Sequence, residues 1–316
     1  MRFLPDERLY RQAESCLAYL RRLPPRTAAP AAPERFHFYW HGPVGRKQAF
    51  AVKSVLATQP PGAADIWLWL DGENGYDGHA DNPLLQPLLS RIQVRRYDPP
   101  AAAAGTPLAD RPELYRPAGL ALRSDAFRFL TLFRHGGTYL DLDVMLLRPW
   151  GELLAHFPGE FCYRWSARQP YGNSAVLRLL PASPTAAALL ARCAAIGSCH
   201  PKHSLHFADQ PNLDLLVLPC PFFDPLWPRA DGKDDFPASP LAGFPEFFQP
   251  LDDRLSGDAR VRSFRSFYAP AFAYHWHNGW EAPEHETSCF ARFEAEFDAI
   301  LERRDGIIRP ADQRAA

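Results

Sequence analysis

The sequence predicts an α/β domain with a mixed, mostly parallel sheet flanked by helices. Two patterns and one quantity lead to this class. A strand, a helix and a second strand follow one another over residues 35–70, the signature of a parallel βαβ unit. A strong helix over 118–134 then runs through Gly136-Gly137 into another strand. The chain's 316 residues, 47% of them hydrophobic, suffice for one large core or two small ones.

Taken in order, residues 9–23 place Leu9, Ala13, Cys16, Leu17 and Leu20 at helical spacing, with Arg and Glu between them. Pro24-Pro25 stops this helix, and the Ala/Pro-rich stretch to Pro33 reads as a linker. We therefore divide the chain into a helical segment with its linker (1–34) and a main domain (35–316). The main domain opens with a strand from Arg35 to Trp40, closed by His41-Gly42-Pro43. An amphipathic helix over 47–58 ends at Pro60-Pro61-Gly62, and a second strand over 66–70 ends in Asp71-Gly72. Residues 93–117 read as loop. The helix over 118–134 offers Leu120, Phe127, Leu130, Thr131 and Phe133 as apolar candidates, and the glycines after it supply its left-handed cap. Beyond Pro149 the pattern predicts short strands near Phe161 and Val176, a helix over 183–196 and another over 211–217. Residues 221–260 read as Pro- and Phe-rich irregular structure. A strand over 271–275 and an amphipathic helix over 288–303 close the chain.

Composition excludes several function classes. Lys+Arg total 35 against 36 Asp+Glu, so the basic excess of a dedicated nucleic-acid binder is missing. No run approaches the ~18 uncharged apolar residues of a transmembrane helix, and residues 1–8 lack the apolar stretch of a signal peptide. The six cysteines have no paired metal-binding spacing, and we expect reduced, mostly buried thiols in a cytoplasmic protein. The 33 prolines, about twice the usual share, fall largely in loops.

The chemistry centres on Asp141-Leu142-Asp143. In an extended segment residues i and i+2 share a face, so both carboxylates can converge on one hard divalent cation, which relieves their repulsion. Alone, such a triplet is most often a solvated turn. Asp125 and Arg128, three apart, are neighbours on one helical face, the spacing of an ordinary surface ion pair. Trp40 at a strand end offers a flat face for a base, although a lone Trp is more often core. His275 and His277 share a face of an extended segment; with no third ligand they read equally as part of an aromatic cluster. Asp209-Gln210 stands at a helix start, where it reads as an N-cap or as part of an acceptor site.

Together these residues resemble a known family. Ser124-Asp125-Ala126-Phe127-Arg128, then Gly136-Gly137-Thr138-Tyr139-Leu140-Asp141-Leu142-Asp143, is similar to the Ser-Asp-x-x-Arg and Gly-Gly-x-Tyr-Leu-Asp-x-Asp pattern of the DXD sugar transferases. These include yeast-type initiating mannosyltransferases, α-1,4-sugar transferases, capsule enzymes and clostridial glucosylating toxins. Nine positions match within twenty residues. Phe36-His37-Phe38-Tyr39-Trp40-His41-Gly42 resembles the family's opening strand and Trp67-Leu68-Trp69-Leu70-Asp71 its second. His275-Trp276-His277-Asn278 resembles its closing element. The match is dense over 36–150, thin over 151–270 and brief near 275.

The resemblance implies a GT-A-type fold and a retaining, metal-dependent glycosyltransferase using Mn²⁺ or Mg²⁺. It implies a nucleotide-sugar donor, a UDP-sugar as first expectation, and a glycan or other hydroxyl-bearing acceptor. Asp125 would meet sugar hydroxyls, Arg128 the sugar or diphosphate, and Asp141 the ribose, sugar or metal. Trp40 would stack on the base. Tyr139, Asn173 and Trp280 would line the donor site, Trp280 as the remnant of a Gly-Ser-Trp ending. Asp143 and Asp141 would hold the metal with His275 or His277. The usual form is His-x-Trp-Asn, so Trp276 and His277 stand transposed and either imidazole can be the inward one. By analogy the role is bacterial polysaccharide assembly, in the cytoplasm or at the inner face of the membrane as a peripheral contact. Two other readings stand beside it. One is a haloacid-dehalogenase-type phosphatase with Asp141-x-Asp143 as its nucleophile triplet, against which the preceding Gly-Gly argues. The other is a non-catalytic sugar- or partner-binding relative.

Overall fold

The computed structural model describes residues 1–25, 32–71, 76–165, 168–209, 212–232, 236 and 239–312, the side chains of 307–312 excepted. Residues 26–31 of the proposed linker, Gly72 and Gln210 lie outside them. Among the described residues ten strands form: β1 (Arg2–Phe3), β2 (Glu34–His41), β3 (Ala64–Asp71), β4 (Gln93–Tyr97), β5 (Gly137–Leu140), β6 (Val144–Leu146), β7 (Phe161–Arg164), β8 (Gly172–Leu179), β9 (Leu216–Leu218) and β10 (Ala273–His275). Eight build one sheet in the order β1-β9-β7-β8-β5-β2-β3-β4, and β6 pairs with β10 in a small second sheet. Within the large sheet only β8 runs antiparallel to its neighbours β5 and β7. The expected mixed, mostly parallel α/β architecture is the one observed.

The strands read as nearly unbroken apolar runs because both faces are covered. In β2, Phe36 and Phe38 enter one core cluster while Tyr39 enters the other. In β3, Ile66, Leu68 and Leu70 join the first and Trp69 packs on the second. The helix Arg46–Thr58 and the long helix Cys289–Asp312 cover the first face. The helices Leu120–His135 and Pro184–Ile196 cover the other. The N-terminal segment packs on this fold: β1 pairs with β9, and Ala13, Cys16, Leu17 and Leu20 of the helix Ala13–Arg22 are buried in the first cluster.

Gly136 and Gly137 are required by geometry. Both have positive φ, and a Cβ on them would lie 2.4 Å from Pro181 Cδ and 2.4 Å from Arg35 O, respectively. The chain therefore turns tightly from helix to β5 and delivers residue 141 to the carboxyl end of a central strand, where open α/β sheets bind ligands.

Three expectations fail locally. Residues 93–117 are not loop throughout: β4 adds to the sheet edge beside β3, and short helices form at Pro99–Ala103 and Pro112–Tyr115. No helix forms over the described part of 211–217; β9 lies there instead. Leu213, Leu215 and Val217 face one cluster and Leu218 the other, so this short apolar run is a strand buried on both sides, which periodicity cannot separate from a buried helix. Leu120 is not core: at the helix start it is 52% exposed. All six cysteines are buried free thiols, and among the described residues no helix is long and apolar enough to cross a membrane.

Candidate functional site

A cavity of about 610 Å³ opens at the carboxyl ends of β2 and β5. Trp40, Asp125, Arg128, Tyr139, Asp141, Asp143, Asn173, His275, His277 and Trp280 all border it.

Its floor is built around one guanidinium. Arg128, on the helix Leu120–His135, lies over the Tyr139 ring at 4.5 Å. It donates to Asp141 Oδ1 at 3.1 Å and Oδ2 at 3.4 Å, to Ser174 Oγ at 2.8 Å and to Ser124 Oγ at 2.9 Å. Asp125 stands 3.4 Å from the same group. The Tyr139 hydroxyl joins Ser124 at 2.8 Å and Asp141 at 2.5 Å. Asp125 and Arg128 are thus not a solvated surface pair: both are buried, and one cation serves two carboxylates. Burial pushes the Asp125 carboxyl up to about 7 against the pull of Arg128, with the Asp141 charge adding to the rise. The flanking carboxylates overcome burial and hold Arg128 charged.

The acidic pair differs from the extended arrangement. The backbone turns at 141–143, the Val144 N–H donating to Asp141 O at 3.0 Å, so the side chains take different partners. Asp141, a quarter exposed, faces Arg128. Asp143, buried, accepts from the Asn278 N–H at 2.6 Å and meets His275 Nε2 at 3.2 Å. Burial disfavours both charges in this last pair, but each stabilises the other: Asp143 is held below the usual carboxylate range and His275 above the usual imidazole range. Asp143, held ionised, and Asp141 both border the cavity, and carboxylate oxygens are donors of the kind a hard divalent cation takes.

His275 and His277 do not share an extended face either. β10 stops at His275, and His277 and Asn278 have φ of +55° and +64°. This left-handed turn folds the His277 ring onto that of His275, with centroids 3.8 Å apart. Both imidazoles border the cavity, so neither alternative for the inward one is eliminated.

Trp40 and Trp280, which both border the cavity, stand with ring centroids 4.9 Å apart and planes tilted by 57°. Trp165, Tyr171 and His200 also line it, as does Asn173, whose Oδ1 accepts from the Ala175 N–H at 2.7 Å. Asp209 is elsewhere: it lies in a turn, not at a helix start, and pairs with Arg192 at 2.5 Å. Sequence reasoning missed Asp224, which is fully buried and contacts His277 Nε2 at 2.7 Å. It also missed Ser124 as a ligand of Arg128, Ser174, and Tyr163, whose hydroxyl lies 3.1 Å from His275 Nδ1. Only Ser124 lay inside a visible motif.

Residues 106–158 match the family model described as a glycosyltransferase sugar-binding region containing a DXD motif. Solved structures similar to the chain include PaToxG glycosyltransferase, at 15% identity over 66% of this chain and 82% of that one, TM-score 0.45. Glycosyltransferase GlyE of Streptococcus pneumoniae TIGR4 is similar at 10% identity over 60% and 46%, TM-score 0.38. An active-site mutant of LgtC is similar at 17% identity over 46% and 56%, TM-score 0.32. No curated protein matches the chain. The phosphatase reading finds no support in these comparisons.

Proposed function

We propose, from the premise that this chain carries the DXD-containing sugar-binding region of glycosyltransferases at residues 106–158, that it moves a hexose from a nucleotide-sugar to a hydroxyl acceptor with retention, using a divalent cation. The observation that carries the reading is the continuous polar network Asp125–Arg128–Asp141 beside the ionised Asp143, all bordering one cavity that Trp40 and Trp280 also line.

In this reading Trp40, backed by Trp280, stacks on the base, and a UDP-sugar is the first donor to try. Asp143 and Asp141 hold the cation, which when bound neutralises charge on the departing diphosphate. His275 braces Asp143 through Nε2. Arg128 adds a second, permanent positive charge on the floor. Asp125, its carboxyl near 7, can accept from or donate to sugar hydroxyls. Tyr139 is only 1% exposed and its hydroxyl is committed to Asp141, so it positions that carboxylate. Asn173 lines the sugar end. The acceptor hydroxyl attacks the anomeric carbon from the side the diphosphate leaves. Its proton passes to the leaving phosphate oxygen, so no side chain need act as a strong base.

The test is nucleotide release from UDP-, GDP- and CMP-sugars with Mn²⁺ or Mg²⁺, with and without simple sugar acceptors. One donor should be hydrolysed or transferred, and Asp141→Asn should abolish turnover while the protein stays folded. Turnover unchanged in Asp141→Asn, or no turnover of any donor, would sink the proposal.

A further inference from the structure

Lys47, unlike most lysines, is out of water. It is the second residue of the helix Arg46–Thr58, and its side chain is 3% exposed. A buried ammonium is costly unless its N–H groups and its charge find partners. The carbonyls it meets come from one distant stretch of chain. Its Nζ donates to Gly279 O at 2.6 Å, to Trp280 O at 3.0 Å and to Ala282 O. Three carbonyls match the three donors of an ammonium. The Glu284 carboxylate stands 3.4 Å away, and the Phe248 ring lies against the charge at 4.6 Å.

This stretch needs holding. His277, Asn278 and Gly279 follow one another with φ of +55°, +64° and +64°, and only one of the three is glycine. Such a turn persists where its surroundings over-determine it. Asp143 fixes one side: the Trp276 N–H donates to its backbone oxygen at 3.0 Å and the Asn278 N–H to its Oδ2 at 2.6 Å. Lys47 fixes the other. Trp280 leaves the chain at the Lys47 anchor, and its ring stands 4.9 Å from that of Trp40. The Trp40 indole N–H in turn donates to Pro43 O at 3.0 Å, in the turn that leads to Lys47. Both indoles are thus tied to the same short piece of chain, Trp40 through Pro43 and Trp280 through Lys47.

We infer that Lys47 is a positioning residue: it clasps the loop over 279–284 and so sets Trp280 beside Trp40. The consequence for nucleotide affinity rests on the donor reading above; the clasp itself does not. Lys47 is not among the residues bordering the cavity, so it acts through the loop and touches no ligand. A compact ammonium with three rotatable donors suits carbonyls gathered around one point, which the planar fork of an arginine does not. Without it three carbonyls lose their donor, and the loop gains by turning them to water, which carries Trp280 away from Trp40.

Lys47→Met keeps the length of the side chain and removes its charge and donors. In full-length protein without nucleotide, amide hydrogen exchange in peptides covering 276–285 should speed up by about tenfold or more, with the helix Leu120–His135 unchanged. Unchanged exchange in 276–285 overturns the clasp, whatever the protein binds. The route through Trp280 is read from the affinity for whichever of UDP, GDP and CMP the wild type binds with Mn²⁺. Wild type, Lys47→Met, Trp280→Ala and the double variant are compared. Each single change should weaken binding by about tenfold, and the double variant by little more than either. A loss of roughly a hundredfold in the double variant, the product of independent effects, overturns the route, as does wild-type affinity in Lys47→Met. A lysine that only supports the fold would lower Tm without this coupling. If Lys47→Met does not fold, Lys47→Gln, with two N–H donors and no charge, decides by the same readings. No binding of any of the three nucleotides by the wild type, together with faster loop exchange in Lys47→Met, sinks the donor reading and upholds the clasp.

Discussion

Asp125 offers a prediction whose sign and size follow from the structure. Its carboxyl, ordinarily at 3.8, is raised to about 7, so the folded protein holds a proton that the unfolded chain releases between these values. Stability from this group is fully present below about pH 4, falls as pH rises through 7 and is flat above about pH 8. At 1.36 kcal/mol per pH unit, the fall between pH 5 and pH 8 amounts to about 2–3 kcal/mol. Asp125→Asn keeps the shape and removes the titration. Urea unfolding of both proteins in EDTA at several pH values isolates the effect, because every other titrating group is shared. The wild type should lose about 2–3 kcal/mol relative to the variant between pH 5 and 8, on top of a constant offset. Parallel stability curves across that range would show that burial does not hold Asp125 protonated and would refute the reasoning.

Arg128→Met should cost about 3–5 kcal/mol in chemical denaturation, since it leaves two carboxylates on the floor without their cation; a loss below about 1 kcal/mol would contradict the shared-guanidinium picture. Gly137→Ala should cost about 2–4 kcal/mol, through its φ of +101° and the 2.4 Å approach to Arg35 O. Gly159→Ala, with open space around its Cβ, should stay within about 0.5 kcal/mol in the same assay. Trp40→Ala should weaken nucleotide binding by about 1–3 kcal/mol in calorimetry, with little change in Tm; unchanged affinity would place the base elsewhere.

What was legible in the sequence was local. The helix, the Gly-Gly turn and β5 follow from periodicity and from the φ that only glycine adopts freely, so the motif from Ser124 to Asp143 could be placed at a strand end. Its exact shape could not. Asp141 and Asp143 part because the chain turns after Leu140, a choice made by Arg128 on one side and by His275 with the Asn278 amide on the other. Asp224 was invisible for a different reason. It lies 51 residues before His275, in Phe- and Pro-rich irregular structure, and only the folded chain brings the two together. The left-handed His277 follows from packing against Trp227 and Phe244, which no local spacing records. β9 was misread because a run buried on both faces carries no period.

The central claim is that the cavity is a metal-dependent nucleotide site. Thermal unfolding with UDP, GDP and CMP, each with and without Mn²⁺, tests it most directly. A nucleotide at a hundred times its Kd stabilises the native state by about 2.7 kcal/mol. The account predicts a rise in Tm with one nucleotide, present only with Mn²⁺ and absent in Asp143→Ala and Asp141→Asn. A shift that needs no metal and survives in both variants, or no shift with any nucleotide, would contradict it.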